Sequence, residues 1–152
     1  MQTLTKRIVF VCTGNTCRSP MAQAIGQSVA QSLAADGQNI EVLSAGVAAG
    51  YGHPASAQSV QVMQERGIDL RDHASQQLSY ELIESADLVL TMTPAHAQAA
   101  MQIAPDMAHK ISPLDPVHPI ADPIGQPVEV YRHVAEQLEE LIVARFKEMT
   151  DE

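Results

Sequence analysis

The sequence predicts a single α/β domain built around a mainly parallel β-sheet. Segments typical of strands alternate with segments typical of helices, which is the pattern that parallel strands joined by helices produce. Apolar residues make up 45% of the 152 residues and charged residues 18%, so the chain can bury a sizeable core. It contains no internal repeat, linker or low-complexity tract, and we therefore expect one domain over residues 1–152.

The first elements are a buried central strand, a loop and a helix. Arg7–Val11 is short, apolar and rich in β-branched residues, as expected of a strand that is covered on both faces. Residues 13–16 are typical of a loop, and a helix then begins near Arg18, with Pro20 tolerated in its first turn. Apolar residues at four-residue spacing predict the buried stripe of this helix: Met21, Ile25, Val29 and Leu33.

A second strand and a second helix follow. We expect Asp-Gly at residues 36–37 to end the first helix, and Ile40–Leu43 to form a strand that leads into Ser44-Ala45-Gly46. A loop of small residues runs to about position 54, and a helix continues from there through position 66. Gly67 is placed as the residue after the helix end, where a left-handed backbone is often needed.

The second half of the chain continues the alternation. Leu78–Glu84 predicts a short helix, Asp87–Met92 a strand, Ala95–Ile103 a helix and Lys110-Ile111 a last short strand. The proline-rich stretch Ser112–Pro127 is expected to be loop. A final helix begins near its end and carries one apolar face: Tyr131, Val134, Leu138, Leu141 and Phe146.

The charge balance restricts the classes of partner. With 18 acidic and 9 basic residues the net charge is −9, which argues against non-specific binding to nucleic acid or anionic membranes. No apolar run approaches the roughly 18 residues that cross a bilayer, and Ile8–Val11 is too short for a signal sequence. We therefore expect a cytoplasmic protein, with no nucleic-acid or membrane partner, that is a monomer or a weak dimer.

The only two cysteines, Cys12 and Cys17, lie five positions apart. Two thiols so close in sequence would close only a small loop, and a zinc site would need further ligands nearby. We therefore interpret one of these thiols as chemically reactive rather than as part of a structural disulfide or a zinc site. The five histidines other than His73 do not have metal-ligand spacing, so we expect neither a metal nor a cofactor.

The loop between the first strand and the first helix predicts an anion site. Five residues separate Cys12 from Arg18, so successive backbone N–H groups can point inward and join the positive end of the helix dipole. Gly14 permits a positive φ and Asn15 tolerates one. Arg18 can bind two phosphate oxygens with its planar guanidinium group.

Cys12 is expected at the bottom of this loop as a nucleophile. The helix dipole, Arg18 and the Ser19 hydroxyl all favour the thiolate over the thiol, and a thiolate beneath bound phosphorus can attack it in line. The alternative is that Cys12 is a small buried apolar residue. Cys17 is interpreted as a bystander, or as a thiol that reversibly traps oxidised Cys12.

The chain resembles the low-molecular-weight protein tyrosine phosphatase family over nearly its whole length. Four segments carry the resemblance: Cys12-Thr-Gly-Asn-Thr-Cys-Arg-Ser-Pro20 as the phosphate loop, Ser44-Ala45-Gly46, Gly67-Ile68-Asp69 with Asp72-His73, and Asp122-Pro123 as the general-acid motif. The resemblance implies a four-stranded parallel sheet flanked by helices, a flavodoxin-like three-layer sandwich. It also implies a metal-independent phosphatase that works through a phosphocysteine, with phosphorylated proteins as substrates.

Roles for the site residues follow from this resemblance. Cys12, Arg18 and Asp122 are expected to be catalytic, with Asp122 as general acid; Asp115, the other aspartate before a proline, is interpreted as a turn residue. Phosphate is expected to bind to these residues: Thr13, Gly14, Asn15, Thr16, Cys17 and Arg18. The supporting residues are Ser19, Ser44 and His73, the last through hydrogen bonds to Asn15 and Ser44. His53 and His96 could line the pocket entrance, with Met92 and Thr93 nearby.

Thr16 bears on the substrate. Its loop resembles the branch of the family that acts on protein phosphoarginine, whereas tyrosine-directed members commonly carry an aliphatic residue there. Alternatively, Thr16 is only a β-branched filler. Ile124 stands where an aromatic is usual, and Tyr51 is the only candidate stacking wall in its loop. The other hypotheses are a tyrosine phosphatase, an arsenate reductase, for which no cysteine follows Cys17, and a non-catalytic phosphoprotein-binding module.

Overall fold

The computed structural model describes residues 4–33 and 38–150 and has the predicted α/β fold class. Its sheet has four parallel strands in the order β2-β1-β3-β4. Their bounds are Leu4–Cys12 for β1, Gln38–Gly46 for β2, Leu88–Thr91 for β3 and Ile111–Pro113 for β4. The predicted helix end at residues 36–37 lies outside the described residues.

Five α-helices and one short 3₁₀ helix are found in the described part of the chain. The α-helices are α1 (Arg18–Leu33), α2 (Ala57–Glu65), α3 (Tyr80–Ser85), α4 (Pro94–Ile103) and α5 (Val128–Thr150), and the 3₁₀ helix is Pro105–Lys110. None of these helices is both long enough and apolar enough to span a bilayer.

The central strand β1 divides the core into two layers. Because side chains alternate along a strand, Ile8 and Phe10 pack with α1, α2 and α5, whereas Val9 and Val11 pack with α3 and α4. All four side chains are fully buried. The result is the predicted three-layer sandwich.

The apolar faces of α1 and α5 pack against each other over the sheet. Every predicted residue of the α1 stripe packs in this core, with Met21 and Ile25 buried and the two toward its end half-buried. The predicted face of α5 is likewise buried, except that Leu141 is half-buried. Phe146 stacks on Phe10, with ring centroids 6.4 Å apart.

Most element boundaries differ from prediction by a few residues; Lys110, predicted as strand, is the last residue of the 3₁₀ helix, and two other differences have a clear cause. β4 extends through Ser112 and Pro113, which were expected to be loop, because these residues pair with Leu90 and Thr91 of β3. A proline is tolerated there since β4 is an edge strand and Pro113 is its last residue. The second helix begins at Ala57 rather than near position 54, after an N-cap at Ser56, whose hydroxyl accepts from Ser59 N at 3.2 Å.

The helix end at Gly67 has the predicted backbone. Its φ is +77°, and it follows Arg66, the C-cap residue of α2. The carboxyl ends of β1 and β3 lie side by side, since Val11 pairs with Thr91. Ligand sites in open parallel sheets form at this edge, so loops 13–17, 47–56 and 92–93 are candidates to surround one.

Candidate active site

The loop of residues 13–17 connects β1 to α1, and its carbonyl groups point outward. Five carbonyls of this region accept hydrogen bonds from groups outside the loop: Cys12 from Val47 N (3.0 Å), Thr13 from Ala48 N (3.0 Å), Asn15 from His73 Nε2 (2.7 Å), Thr16 from Ser56 N (2.8 Å) and Cys17 from Met21 N (3.3 Å).

The outward carbonyls determine where the amides point. In a planar trans peptide the C=O of one residue and the N–H of the next are directed oppositely, and no cis peptide is present in the described residues. The N–H groups of residues 13, 14, 16, 17 and 18 therefore face away from those partners, toward the inside of the loop. None of the amides of residues 13–17 donates to another group of the described chain. With the N-terminus of α1, they form a cradle for an anion.

Asn15 holds the turn of this cradle. Its φ is +58°, a left-handed conformation that asparagine tolerates better than most residues, and it is fully buried. Its side-chain amide donates to Ser19 Oγ at 2.8 Å and to Ser44 Oγ at 3.0 Å. Its side-chain oxygen accepts from Gln76 N at 3.0 Å. The strained backbone is thus stabilised by three side-chain hydrogen bonds.

Cys12 ends β1 at the base of the cradle and is 3% exposed. Its Sγ lies 2.9 Å from Ser19 Oγ. Because Ser19 Oγ already accepts a hydrogen bond from the Asn15 side chain, its own hydroxyl proton can be directed to the sulfur.

Arg18 is buried beside the cradle, at 5% exposure. Its Nη1 donates to the carbonyl oxygen of Ile120 at 2.9 Å, and its Nη2 donates to Thr13 Oγ1 at 3.5 Å. The same Nη2 lies 3.5 Å from Asp122 Oδ2. This guanidinium therefore links the phosphate loop to the loop before α5.

The two candidate general acids have different surroundings. Asp122 lines the pocket, and while its Oδ1 accepts from Ile124 N at 3.1 Å, its Oδ2 faces Arg18. Asp115 Oδ1 accepts from Val117 N (2.9 Å) and His118 N (3.1 Å), and these bonds lower the pKa of Asp115. Asp115 thus has the turn geometry that the sequence predicted for it, and Asp122 is the aspartate at the pocket.

The predicted contacts of His73 are half correct. Its Nε2 bonds to the carbonyl of Asn15, as expected. The predicted bond to Ser44 is wrong, because the Ser44 hydroxyl donates to Gln23 Oε1 at 2.6 Å and accepts from the Asn15 side chain. Burial lowers the pKa of His73, opposed by the bond to Asn15, so a neutral ring donates to that carbonyl.

Neither His53 nor His96 lines the pocket as the sequence suggested. His53 belongs to the loop after β2, where its backbone N–H donates to Ser75 Oγ at 3.0 Å. His96 is buried behind the phosphate loop, 2.8 Å from Thr13 Oγ1. Sequence reasoning missed this contact; the position of His96 just after a strand end was the one available signal.

Cys17 has a buried partner that sequence reasoning also missed. Its Sγ is 3.5 Å from the hydroxyl of Tyr131, which was predicted only as a core residue of α5. Burial and the nearby Cys17 raise the pKa of Tyr131 to about 12. Both cysteines are unpaired.

These groups surround a pocket of about 140 Å³. Its lining consists of eight residues, none of them aromatic: Cys12, Thr13, Gly14, Thr16, Cys17, Arg18, Asp122 and Ile124. Amide donors, a guanidinium, a buried sulfur and a half-exposed carboxylate suit this pocket to a tetrahedral anion and to nucleophilic displacement at its centre.

Known proteins resemble the chain over nearly its whole length. The family model for low molecular weight phosphotyrosine protein phosphatase matches residues 7–152. A protein-arginine-phosphatase of Bacillus subtilis is 40% identical over 140 residues, covering 89% of this chain and 91% of that protein. A probable low molecular weight protein-tyrosine-phosphatase of Ralstonia nicotianae, EpsP, is 37% identical over 136 residues, covering 88% and 89%. The solved YwlE arginine phosphatase of Geobacillus stearothermophilus superposes with a TM-score of 0.87 at 40% identity, covering 96% of this chain and 94% of that one.

Proposed function

The chain belongs to the low molecular weight phosphotyrosine protein phosphatase family, and we propose that within this family it hydrolyses phosphoarginine in proteins. It is a cysteine-dependent protein phosphatase; the phosphoarginine substrate and the residue roles below are the proposal. We also propose a cytoplasmic location, because both cysteines are unpaired, as is usual in a reducing compartment.

The first chemical step transfers the phosphoryl group to Cys12. Loop amides and Arg18 hold the phosphate oxygens while the Cys12 thiolate attacks phosphorus. The phosphorus–nitrogen bond breaks as Asp122, in its acid form, donates a proton to the leaving guanidine nitrogen. This step leaves a phosphocysteine, a free arginine side chain and an ionised Asp122.

The second step regenerates the enzyme. The Asp122 carboxylate accepts a proton from a water molecule, whose oxygen attacks the phosphorus of the phosphocysteine. The sulfur–phosphorus bond breaks, Cys12 returns to the thiolate, and inorganic phosphate leaves. The place of Asp122 in the lining of the pocket that Cys12 and Arg18 also line supports both proton transfers.

The observation that carries the substrate assignment is the pocket wall without an aromatic ring. Thr16 and Ile124 line it, whereas Tyr51 is 74% exposed and lies outside the lining. A phenyl ring gains most from aromatic or broad apolar walls. A guanidine group instead gains from a hydroxyl acceptor, which the half-buried Thr16 can supply.

A matched substrate pair tests this assignment. We expect kcat/KM for a phosphoarginine peptide to exceed that for a phosphotyrosine peptide of the same surrounding sequence, with a phosphoserine peptide as control. In Thr16→Val, which keeps the shape and removes the hydroxyl, the ratio should fall about tenfold, the effect of one hydrogen bond of about 1.4 kcal/mol. A parent that prefers phosphotyrosine would exclude the arginine assignment and leave the phosphatase in place.

Substitutions of two aspartates, Asp122 and Asp115, test the catalytic roles. We expect Asp122→Asn to lower kcat by a factor of about 10² to 10⁴, since it removes a general acid and base. Asp115→Asn is the matched control, because this aspartate also precedes proline but accepts from two backbone amides of its own turn. Equal losses in both variants, or turnover at the parental rate in Cys12→Ser, would overturn the mechanism.

A further inference from the structure

His96 is a buried histidine that the mechanism above does not use. It is 6% exposed and lies in the first turn of α4, where its backbone N–H donates to Thr93 Oγ1 at 3.1 Å. Its Nε2 is 2.8 Å from Thr13 Oγ1. Its Nδ1 has no hydrogen-bond partner within the described residues. The ring therefore has one polar contact, and that contact is with the phosphate loop.

The Thr13 hydroxyl connects His96 to Arg18. Arg18 Nη2 donates to Thr13 Oγ1, and a guanidinium group can only donate. The hydroxyl proton of Thr13 is then available for a hydrogen bond to His96 Nε2, which accepts it in the neutral tautomer that carries its proton on Nδ1. Burial and, next, the positive charge of Arg18 lower the pKa of His96 to about 4, with Asp122 opposing the shift, so the ring is neutral at neutral pH.

We propose that His96 is a positioning residue that, through the Thr13 hydroxyl, holds the Arg18 guanidinium in the orientation that binds phosphate. The inference rests on the proposed function and adds a residue to it. The chain of contacts runs from His96 in the first turn of α4 to Thr13 in the phosphate loop, and from Thr13 to the Arg18 guanidinium.

The contacts of Arg18 explain why such a support is needed. Nη1 is fixed by a 2.9 Å bond to the carbonyl of Ile120, but Nη2 has only 3.5 Å contacts, to Thr13 and Asp122. Without a directed acceptor at Thr13, the guanidinium can turn about its Nη1 bond toward Asp122. When His96 fixes the orientation of the Thr13 hydroxyl, the oxygen lone pair that accepts from Arg18 also has a fixed direction. This limits the rotation of the guanidinium and keeps its remaining N–H groups directed at the phosphate.

Three variants separate positioning from a merely structural role. His96→Phe fills the site and removes the hydrogen bond, so the Thr13 hydroxyl loses its acceptor on α4. His96→Gln places an amide oxygen near the position of Nε2 and should restore the acceptor. Thr13→Val removes the middle hydroxyl and keeps the backbone N–H of the cradle. His133→Gln, an exposed histidine on α5, is the matched control.

Activity and phosphate binding are measured for each variant at pH 7. We expect His96→Phe to lower kcat/KM about tenfold and to raise the inhibition constant of inorganic phosphate at least about threefold, as a misplaced phosphate ligand would. In His96→Gln, kcat/KM should recover to within about threefold of the parental value. Adding His96→Phe to Thr13→Val should lower kcat/KM no further, because both substitutions break the same chain of contacts.

The results distinguish failure of this inference from failure of the proposed function. A parent without phosphatase turnover would exclude the function itself. With an active parent, the inference is overturned if His96→Phe binds phosphate as the parent does, if His96→Gln fails to recover while remaining folded, or if the losses of the two single variants multiply. Nitrogen-15 NMR of the imidazole adds a readout independent of turnover, which should find the proton on Nδ1 and an accepting Nε2.

Discussion

The buried ring of His96 makes the stability of the protein depend on pH in a way that one substitution can isolate. The folded-state pKa is about 4, against 6.5 for an unperturbed histidine. Between these values the unfolded chain binds a proton that the folded chain does not, so acid favours unfolding and stability rises with pH. The full difference corresponds to about 3 kcal/mol, and the ring is buried enough that solvent screening reduces it little.

Replacing His96 by glutamine removes this titration and leaves the others. We expect urea unfolding to give a stability difference, parent minus His96→Gln, that falls by about 2 to 3 kcal/mol between about pH 7.5 and pH 4.5. Carboxylates and His73 titrate in both proteins and cancel in the difference. His133→Gln, which replaces an exposed histidine on α5, is measured beside it as the control.

The reasoning would be refuted by a parent-minus-variant difference for His96→Gln that does not change over this pH range. Such a result would mean that the ring takes up its proton over the same pH range in the folded and the unfolded chain, so that burial and Arg18 do not disfavour its charged form. An opposite slope would mean that the ring gains a partner for its charged form, and the neighbouring Arg18 argues against that.

Three further predictions concern the frame of the site and its core. In Gly46→Ala a Cβ would lie 2.4 Å from the carbonyl oxygen of Thr13, so the phosphate loop must move and kcat/KM should fall at least about tenfold in steady-state assays. Asn15→Gly keeps a left-handed backbone but loses three side-chain hydrogen bonds, and thermal unfolding should report a loss of about 1 to 3 kcal/mol. Phe146→Ala removes a fully buried ring and should cost about 3 to 5 kcal/mol in urea unfolding, while kcat/KM at low temperature stays near the parental value.

Features that depend on local sequence were the ones that could be predicted. The strand at Arg7–Val11 is a continuous apolar run, the apolar positions of α1 and α5 repeat with helical spacing, and Gly67 supplies the residue after a helix end. Each of these signals lies within one segment, and the packing of the sheet then reinforces it. The Cys12 to Arg18 spacing belongs to the same class, because strand, loop and helix are adjacent in the chain.

Features that depend on distant partners could not be predicted. Whether Pro113 continues a strand is decided by its pairing with Thr91, and proline propensity alone argued for a loop. The contact of His96 with Thr13 joins residues 83 positions apart. Ser44 was placed correctly near the loop but with the wrong partner, since Gln23 on α1 competes for its hydroxyl proton.

An acidic protein can hold a phosphate dianion because the cradle is built mostly from neutral groups. Backbone amides add nothing to the formal charge of −9, and the cation beside them, Arg18, is buried where water screens it weakly. The motif alone does not make those amides converge. They face inward because Val47, Ala48, Ser56 and His73, on other segments, each bond to a carbonyl of the loop or of the residue before it. The Cys12 to Arg18 spacing therefore permits the cradle, and the rest of the fold determines that it forms.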